Sequence, residues 1–373
     1  MTSSRTGPIA FFLPSMRGGG AERVVVNLAQ GMSGRGLPVH VALAAAEGAF
    51  LDQLPPAVRV VDLRAPRVLR SLGPLAGYLR RERPRVLVSS MSHANLVALW
   101  AARLSSRPTP VVVTVHNTMS QSTTEQGRIA GMLWPHLLRT FYPWASCVVA
   151  VSRGAADDLA TSSGLPRDRV EVVYNPVITP AMMALTRQSP DHPWFAPGQP
   201  PVILGVGRLT RQKDFPTLLR AFGEMRQQRE ARLIILGEGE DRPRLQALAA
   251  ELGVTDDVSL PGFRENAMAY MAGSALFVLS SAWEGFGNVV VEALACGAPV
   301  VSTDCPSGPG EILAWGRYGR LVAVGDDEEL AHAMLATLDD PPRPELLRGR
   351  AEDFRTDRAA SRYLRVLASD PVR

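Results

Sequence analysis

Two carboxylates stand eight positions apart in a stretch that is predicted to form a strand, a loop, a helix and a second strand. Glu284 lies in the loop, and Glu292 lies one turn into the helix, which is predicted from about Asn288 to Cys296. The backbone N–H groups at the helix start point outward, where anions bind. An anion site beside two carboxylates fits a nucleotide-sugar, and the loop residues that we expect to bind it are Gly285, Phe286, Gly287 and Asn288.

Two cations leave the carboxyl end of another predicted strand on one loop. Arg208 and Lys213 follow the apolar run Val202–Val206, and Lys213 is the only lysine among 40 basic residues. A compact ammonium and a planar guanidinium together can clamp a diphosphate, which is the work that a metal ion does in other sites. The chain contains no Asp-x-Asp sequence to supply ligands for such a metal, so we expect a metal-independent site with no cofactor.

A glycine-rich loop follows the first predicted strand. Gly18, Gly19 and Gly20 lead into a predicted helix, an arrangement that lets a phosphate or a sugar approach the backbone. Arg23 stands where the dinucleotide-binding fingerprint has its third glycine. The loop therefore disfavours a nicotinamide or flavin enzyme, although it leaves a Rossmann-type fold open.

A histidine ends a further predicted strand. His116 directly follows the apolar run Val111–Val115, and residues at the carboxyl ends of strands face the ligand crevice in doubly wound sheets. A lone histidine is often a structural residue, so the sequence leaves a structural role and a functional role for His116 equally open.

The composition indicates a globular protein. Its 373 residues are enough for two domains, and the hydrophobic share of 46% and the charged share of 20% are typical of such domains. No apolar run is long enough to cross a membrane, and the first residues lead straight into an apolar strand, so we expect neither a transmembrane helix nor a secretory signal. Three scattered cysteines fit neither a disulfide framework nor a zinc site and indicate a reduced, cytoplasmic setting.

Short apolar runs alternate with helical patterns in both halves of the chain, which predicts α/β architecture with parallel sheets. A stretch rich in Pro, Gly, Ser and Asp, without helical or strand periodicity, interrupts this alternation. We therefore predict a first domain over residues 1–178, a linker over 179–200 and a second domain over 201–352. The last segment, 353–373, is predicted to be mainly helical.

Arginines surround an apolar stripe between Pro66 and Arg85, where Glu82 is the only acidic residue. A basic amphipathic helix is typical of a membrane surface, whereas the alternative is a crossover helix that packs on the sheet with a basic outer face. The arginines for which we consider an anionic membrane surface as a partner are Arg67, Arg70, Arg80, Arg81, Arg83 and Arg85. Aromatic residues are not interleaved with these arginines, so we expect no nucleic-acid partner.

Taken in order along the chain, these motifs resemble those of the family 4, or group 1, retaining glycosyltransferases of the GT-B fold. The resemblance covers nearly the whole chain and rests on Gly18-Gly19-Gly20-Ala21-Glu22-Arg23, His116, Gly207-Arg208 with Lys213, Gly262-Phe263, and the spaced pair Glu284 and Glu292. It implies two Rossmann-like domains facing across a cleft, with the acceptor bound by the first and the nucleotide-sugar by the second. It also implies a final helix that crosses back onto the first domain.

The resemblance implies a role for each matching residue. Glu292 would bond the ribose hydroxyls, Glu284 would bond hydroxyls of the donor sugar, and Arg208 with Lys213 would hold the diphosphate. The glycine loop would approach the sugar and phosphates from the other domain, and His116 would contact the donor sugar near the reaction centre. The expected substrate-binding set is completed by Phe263 and Arg264.

The implied reaction transfers a hexose-type sugar from a nucleoside diphosphate sugar to an acceptor hydroxyl with retention of configuration, and a uridine nucleotide is favoured over a guanosine nucleotide. The stretch from Cys305 to Leu313 is similar to members that build bacterial surface polysaccharides and lipid-linked oligosaccharides, so we expect a glycan of that kind as acceptor. We expect a cytoplasmic enzyme that can bind the inner face of the cytoplasmic membrane. The alternatives are a nucleotide-sugar 2-epimerase, which needs no acceptor, and a non-catalytic nucleotide-sugar-binding assembly subunit.

Overall fold

The structure, a computed structural model, describes residues 7–105, 109–118 and 128–368. The chain divides into a first unit, Met1–Pro176 with Thr356–Arg373, and a second unit, Val177–Arg355. Each unit is built on one parallel sheet with helices on most connections, so the predicted α/β class with two Rossmann-like domains is confirmed. No helix within the described residues is both long enough and apolar enough to span a bilayer.

The first unit contains a seven-stranded sheet. Its strands are β1 (Ile9–Leu13), β2 (Val39–Leu43), β3 (Val58–Asp62), β4 (Val86–Ser90), β5 (Val111–Val115), β6 (Cys147–Ala150) and β7 (Val170–Val172). The helices on its connections are α1 (Gly20–Ser33), α2 (Leu72–Glu82), α3 (Ser92–Leu104), α4 (Arg128–Phe141) and α5 (Arg153–Ser163). The strand order is β3-β2-β1-β4-β5-β6-β7. Every residue of β1, β4 and β5 is buried, as expected for a parallel sheet covered on both faces.

The second unit contains a six-stranded sheet. Its strands are β8 (Val202–Val206), β9 (Arg232–Leu236), β10 (Val258–Gly262), β11 (Leu276–Leu279), β12 (Val300–Thr303) and β13 (Arg320–Val322). Its helices are α6 (Pro180–Leu185), α7 (Phe215–Arg226), α8 (Arg242–Glu251), α9 (Ala267–Gly273), α10 (Asn288–Cys296), α11 (Pro309–Ile312), α12 (Asp327–Asp339) and α13 (Pro344–Ala351). The strand order is β10-β9-β8-β11-β12-β13, so the chain reverses direction across the sheet between β8 and β11.

Two edge strands lie outside the sequence predictions. β7 and β13 have three residues each, and Val170-Glu171-Val172 and Arg320-Leu321-Val322 are too short to show a periodic pattern. Parallel pairing with β6 and β12 places them in the sheets. Their strand conformation therefore depends on the neighbouring strand rather than on local sequence.

The final helix, α14 (Thr356–Ala368), belongs to the first unit, as the resemblance implied. Ala360 and Tyr363 are fully buried in the core that α1 shares. Arg35, just beyond α1, donates from Nη2 to the Asp357 carbonyl over 2.7 Å and to Ser361 Oγ over 2.9 Å. Apolar burial and these hydrogen bonds together hold the end of the chain on the first unit.

The segment predicted as a linker, residues 179–200, is instead part of the second unit. It contains α6, and Thr179 caps this helix by accepting a hydrogen bond from the Met182 N–H. Tyr270 Oη donates to the Asp191 carbonyl over 2.7 Å, and His192 Nε2 lies 3.0 Å from Ser259 Oγ. The segment lacks periodicity because hydrogen bonds to other parts of the second unit, rather than an amphipathic face, hold it in place.

The arginine-rich stretch forms a short helical turn at Val68–Ser71 followed by α2. The apolar stripe of α2 is core, since Leu75 and Leu79 are buried against the sheet and α3. This arrangement is the crossover helix with a basic outer face. The arginines on that outer face are Arg67, Arg70, Arg80, Arg81 and Arg83, which are exposed, and Arg85, which is half-buried.

Candidate functional site

The loops after β8 and β11 meet because these two strands are neighbours in the second sheet. Lys213 and Glu284, which are 71 positions apart, form an ion pair between Nζ and Oε1. Ser281 Oγ donates to the same Oε1 over 2.8 Å. The exposed fractions of the two charged side chains are 15% for Lys213 and 9% for Glu284. A shielded ion pair therefore lies at the carboxyl edge of this sheet.

Hydrogen bonds between the two loops fix the ion pair in place. The Ala282 N–H donates to the Gln212 carbonyl over 2.9 Å, and Gln212 Nε2 donates to the Trp283 carbonyl over 3.0 Å. The missing side chain of Gly207 leaves room for the lysine stem, because an added Cβ there would lie 3.1 Å from the Lys213 methylene carbons. The ammonium is thus positioned by its own loop and by the loop after β11.

Arg208 has a different setting from Lys213. Its side chain is exposed, and its guanidinium forms no hydrogen bond or ion pair with any other residue that the structure describes. Gly237 (φ 139°) approaches the backbone beside it so closely that an added Cβ would lie 1.9 Å from the Gly207 carbonyl oxygen. Only glycine allows this approach, by which the loop after β9 supports the loop that carries Arg208. An anion can therefore pair with Arg208 without displacing an existing partner.

Helix α10 has the bounds that the sequence predicts. Gly287 (φ 91°) precedes it and Gly297 (φ 81°) follows it, and both adopt the left-handed conformation that glycine tolerates. Glu292, in the second turn, is half-buried, as is Asn288. The helix N-terminus and the loop of Glu284 lie at the same edge of the sheet, because α10 directly follows that loop.

The loop after β12 supports the Glu284 loop from the other side. Ser307 Oγ donates to the Glu284 carbonyl over 2.8 Å. Gly308 (φ 94°) packs so tightly that an added Cβ would be 2.0 Å from the Phe286 carbonyl oxygen. The Phe286 ring is buried at 3% exposure and packs edge-on against Phe354 with 5.7 Å between centroids. The ring of this predicted substrate-binding residue is therefore a core group.

Phe263 and Arg264, which complete the predicted substrate-binding set, follow β10. Phe263 is exposed at 71%, and Arg264 is half-buried with an Nε that has no hydrogen-bond partner within the described part of the chain. The Gly237 N–H donates to the Gly262 carbonyl over 3.0 Å, which connects this loop to the one after β9. The loops after β10, β9, β8 and β11 thus follow one another along one edge in strand order.

The described residues contain no group of three or more His, Cys, Asp or Glu side chains able to hold a metal ion. At the edge described above, the carboxylate of Glu284 is already paired with Lys213. The groups suited to an anion there are Arg208, Lys213 and the start of α10.

The glycine loop lies in the first unit, between β1 and α1. Gly18, Gly19 and Gly20 are exposed, and Gly19 is the extended N-cap residue of α1. The Glu22 carboxylate folds back toward this cap, since a Cβ added to Gly19 would lie 2.7 Å from Glu22 Oε2. Arg23 is occupied by the neighbouring turn: its guanidinium lies 4.0 Å above the Phe50 ring and bonds Gln53. The part of the loop that a ligand can reach is therefore the exposed backbone of its glycines.

His116 follows β5 and is bonded to a buried hydroxyl. Its Nε2 lies 2.9 Å from Thr114 Oγ1, which donates its own proton to the Ser89 carbonyl over 2.9 Å. We assign the Nε2–H tautomer, in which the ring donates to Thr114 Oγ1, because that hydroxyl can give its own proton to the Ser89 carbonyl. Nδ1 is then a bare acceptor, and it is buried without a partner among the described residues. Burial lowers the pKa of His116 to about 4, so the ring is neutral at physiological pH.

Three supporting residues lie outside the sequence predictions: Ser281, Ser307 and Thr114. Each acts through one hydroxyl on a group that the sequence does single out, namely Glu284 or His116. Ser281 stands three positions before Glu284, and Thr114 two positions before His116. Serine and threonine are common at strand ends, so their types and spacing alone give no signal.

The chain has two α/β units, each built on a parallel sheet, and groups suited to an anion lie at the strand ends of the second unit. These features define the GT-B class of protein. Residues 18–179 match the family described as Glycosyltransferase Family 4, and residues 188–354 match Glycosyl transferases group 1. The chain belongs to the group 1, family 4 glycosyltransferases.

Two curated relatives span most of the chain. One is an N-acetylgalactosamine-N,N'-diacetylbacillosaminyl-diphospho-undecaprenol 4-alpha-N-acetylgalactosaminyltransferase of Campylobacter jejuni, 27% identical over 89% of this chain and 90% of its own length. Another is a lipopolysaccharide core biosynthesis glycosyltransferase of Rhizobium meliloti, 28% identical over 95% of this chain and 97% of its own length.

Solved structures share the fold over nearly the whole chain. The apo form of the lipopolysaccharide outer core galactosyltransferase WaaB is 20% identical, with a TM-score of 0.73, and covers 96% of this chain and 98% of its own. The Anabaena protein HepE in complex with UDP is 22% identical, with a TM-score of 0.77, and covers 97% of this chain and 99% of its own.

Proposed function

We propose that this glycosyltransferase moves a hexose-type sugar from a nucleoside diphosphate sugar to a hydroxyl of a lipid-linked or cell-surface glycan, with retention of anomeric configuration. A uridine nucleotide is favoured over a guanosine nucleotide, and neither a metal ion nor another cofactor takes part. The two full-length relatives named above support the acceptor class, since one acts on a diphospho-undecaprenol saccharide and the other serves lipopolysaccharide core biosynthesis. The UDP complex of HepE supports the choice of base.

The observation that carries the proposal is the Lys213–Glu284 ion pair beside the start of α10. Oε1 of Glu284 accepts from Lys213 and Ser281, whereas Oε2 has no hydrogen bond within the described part of the chain and can accept from hydroxyls of the donor sugar. Arg208 supplies a second, exposed cation. In this proposal Arg208 and Lys213 hold the diphosphate, and Glu292 holds the ribose. Phe263 and Arg264 lie on the side of the base.

These groups stabilise the charges that the reaction develops. The bond between the anomeric carbon and the diphosphate oxygen breaks, which leaves positive charge on the sugar and negative charge on the diphosphate. Two cations and the start of a helix stabilise the leaving group. The acceptor oxygen attacks from the same face, and its proton passes to the departing phosphate. No enzyme nucleophile is required, which fits a Glu284 carboxylate held by an ion pair.

In the first unit we assign substrate contacts to the exposed glycine loop and to His116. Nδ1 of His116 is buried, so a sugar hydroxyl reaches it only once the cover over the ring opens. The neutral ring can then accept a hydrogen bond there, whereas a protonated imidazole could not. Thr114 fixes the orientation of the ring, because its hydroxyl accepts from Nε2–H, and Nδ1 has no partner among the residues that the structure describes.

The neutral state of His116 is directly measurable. We expect His116 to remain the Nε2–H tautomer from about pH 5.5 to 8, because its pKa is lowered to about 4. Long-range ¹H–¹⁵N spectra of the histidine rings report the tautomer and its titration. In Thr114→Val we expect His116 to lose its fixed tautomer. Thr140→Val, which removes an exposed hydroxyl on α4, serves as the control. An imidazolium signal of His116 at pH 6.5 would contradict the assignment.

We also propose that the basic outer face of the first unit binds an anionic membrane. Five of its arginines are exposed, and Leu69 between them is exposed at 63%. Arginines beside exposed apolar side chains are typical of a surface that lies on a bilayer.

Charge reversal tests this membrane surface. Arg67→Glu with Arg70→Glu is expected to lower sedimentation with phosphatidylglycerol vesicles at least about tenfold, since each basic residue near an anionic surface contributes about 1 kcal/mol. Raised salt weakens the wild-type binding in the same way. Arg211→Glu with Arg244→Glu reverses two exposed arginines of the second unit and is the matched control. Vesicle binding that changes neither with raised salt nor in the Arg67→Glu, Arg70→Glu variant would count against the proposed membrane surface.

A donor screen tests the proposed function. We expect a uridine diphosphate sugar to raise the melting temperature in the presence of EDTA and to be turned over once a lipid-linked or core oligosaccharide acceptor is added. The anomeric coupling of the product, read by NMR, is expected to match that of the donor. Conversion of the donor without acceptor would favour the 2-epimerase, and binding without any turnover or hydrolysis would favour the assembly subunit.

A further inference from the structure

An exposed histidine of the first unit has no role in the sites described so far. His93 lies in the first turn of α3, which directly follows β4, and the residue is exposed. Its ring nitrogens form no hydrogen bond with any residue that the structure describes. The imidazole can therefore bind a ligand without displacing an existing hydrogen-bond partner.

The strand order places this turn between two loops to which we assign substrate contacts. In the first sheet β4 pairs with β1 on one side and with β5 on the other. Parallel strands bring their carboxyl ends to the same edge of a sheet. The turn that carries His93 therefore follows the strand between those that lead into the exposed glycine loop and into His116.

Buried hydrogen bonds hold the first turn of α3 against β5. Asn95 Nδ2 donates to the Thr114 carbonyl over 3.0 Å and to Tyr142 Oη over 3.1 Å. The hydroxyl of the same threonine lies 2.9 Å from His116 Nε2. Thr114 therefore positions both the turn that carries His93 and the ring of His116.

The ring of His93 and the backbone before it are also constrained. The ring packs on Trp134 with 4.7 Å between centroids, and Trp134 is buried at 8% exposure. Met91, which joins β4 to α3, has φ 76° and ψ 135°. Non-glycine residues adopt such a conformation only where the surroundings impose it, and they concentrate at functional sites. His93 is therefore an exposed side chain with a defined position.

We propose that His93 binds a hydroxyl of the acceptor glycan and helps to select the acceptor sugar, an inference that rests on the proposed function. The first unit is the one expected to bind the acceptor, and the loops on either side of His93 are assigned to the donor. An acceptor hydroxyl that attacks the donor sugar must lie beside those loops. A neutral imidazole donates one hydrogen bond and accepts another, which suits a sugar hydroxyl because it does the same.

NMR of the histidine rings in the wild-type protein tests this contact without knowledge of the natural acceptor. The probes are methyl α-D-glycosides of glucose, galactose, mannose, N-acetylglucosamine and N-acetylgalactosamine, added at millimolar concentration to protein saturated with UDP. At least one glycoside is expected to shift the ring ¹⁵N signals of His93, which are assigned by their loss in His93→Ala. The ring signals of His332, an exposed histidine of the second unit, should stay unchanged.

His93→Ala is expected to raise the Kd of the same glycoside about tenfold, because a hydrogen bond is lost. His93→Gln, whose amide can donate and accept, should retain most of the binding, and His332→Ala is the matched control. UDP should bind the wild type and His93→Ala equally.

Two outcomes separate this inference from the proposed function. Absence of UDP binding in the wild type would refute the proposed function. Intact UDP binding with no glycoside-induced shift at His93, or with equal glycoside affinity in the wild type and His93→Ala, would refute the acceptor contact.

Discussion

Lys213→Met is expected to lower the rate of sugar transfer by about two to three orders of magnitude. Methionine keeps much of the side-chain volume and removes the ammonium that we assign to the departing diphosphate, and loss of one such group costs about 100- to 1,000-fold in other enzymes. The change should appear in kcat as well as in kcat/KM, because the charge that Lys213 stabilises grows as the bond breaks. Steady-state transfer with the identified donor and acceptor measures it.

Lys213→Met also needs a stability control, because the ion-pair partner of Lys213, Glu284, is largely buried. Without Lys213 the Glu284 carboxylate is largely buried with no cation, so the melting temperature is expected to fall at neutral pH. Lys213→Met combined with Glu284→Gln removes both charges and is expected to recover the melting temperature but not the transfer. Arg211→Met removes an exposed cation from the same loop and should change neither. Recovered transfer in the double variant would mean that Lys213 serves only the fold.

Glu292→Gln is expected to raise the Kd of the donor nucleotide about 10- to 100-fold. A carboxylate that accepts from ribose hydroxyls makes charge-assisted hydrogen bonds, which contribute about 1.5–3 kcal/mol when both partners are present. The wild type should therefore bind 2′-deoxy-UDP less tightly than UDP, and the variant should bind the two nucleotides with nearly equal affinity. Comparing both nucleotides in both proteins separates the loss of the ribose hydrogen bond from a general weakening of nucleotide binding.

Glu328→Gln, an exposed glutamate of α12, is the control for the loss of a surface charge. Its affinity for both nucleotides should equal that of the wild type. If Glu292→Gln discriminates between UDP and 2′-deoxy-UDP as strongly as the wild type does, Glu292 does not contact the ribose.

The sequence predicts helix α10 accurately because its signals are local. Gly287 and Gly297 both take positive φ angles, and the helix lies between them. The alternation of apolar runs likewise predicts the central strands, whose burial on both faces requires apolar residues throughout. Local propensity and tertiary packing agree at these positions.

The ion pair could not be predicted in the same way. Lys213 and Glu284 are both singled out by the sequence, yet their contact depends on β8 and β11 being neighbours, which follows from the strand order of the whole sheet. The hydrogen bond from Ser281 to the Glu284 carboxylate is a further consequence of that fold. Sequence motifs therefore select the charged groups, and the sheet topology decides which of them touch.

Residues 179–200 and the arginine-rich stretch show the limits of pattern alone. Proline and glycine suggested a linker, but hydrogen bonds such as that from Tyr270 to the Asp191 carbonyl hold the segment to the second unit. The stripe of α2 fits a core and a membrane face equally well as a pattern, and its burial decides for the core. A membrane surface then depends on the exposed arginines and on Leu69.

Isothermal titration of UDP tests the central claim most directly, because it requires no acceptor and no turnover. If Arg208, Lys213 and the start of α10 hold the diphosphate, wild-type protein binds UDP in the presence of EDTA. Lys213→Met then binds at least about tenfold more weakly, as expected for loss of a charged hydrogen bond, while Arg211→Met binds like the wild type. Equal affinity in wild type and Lys213→Met, or binding that appears only when a divalent metal is added, would contradict the site.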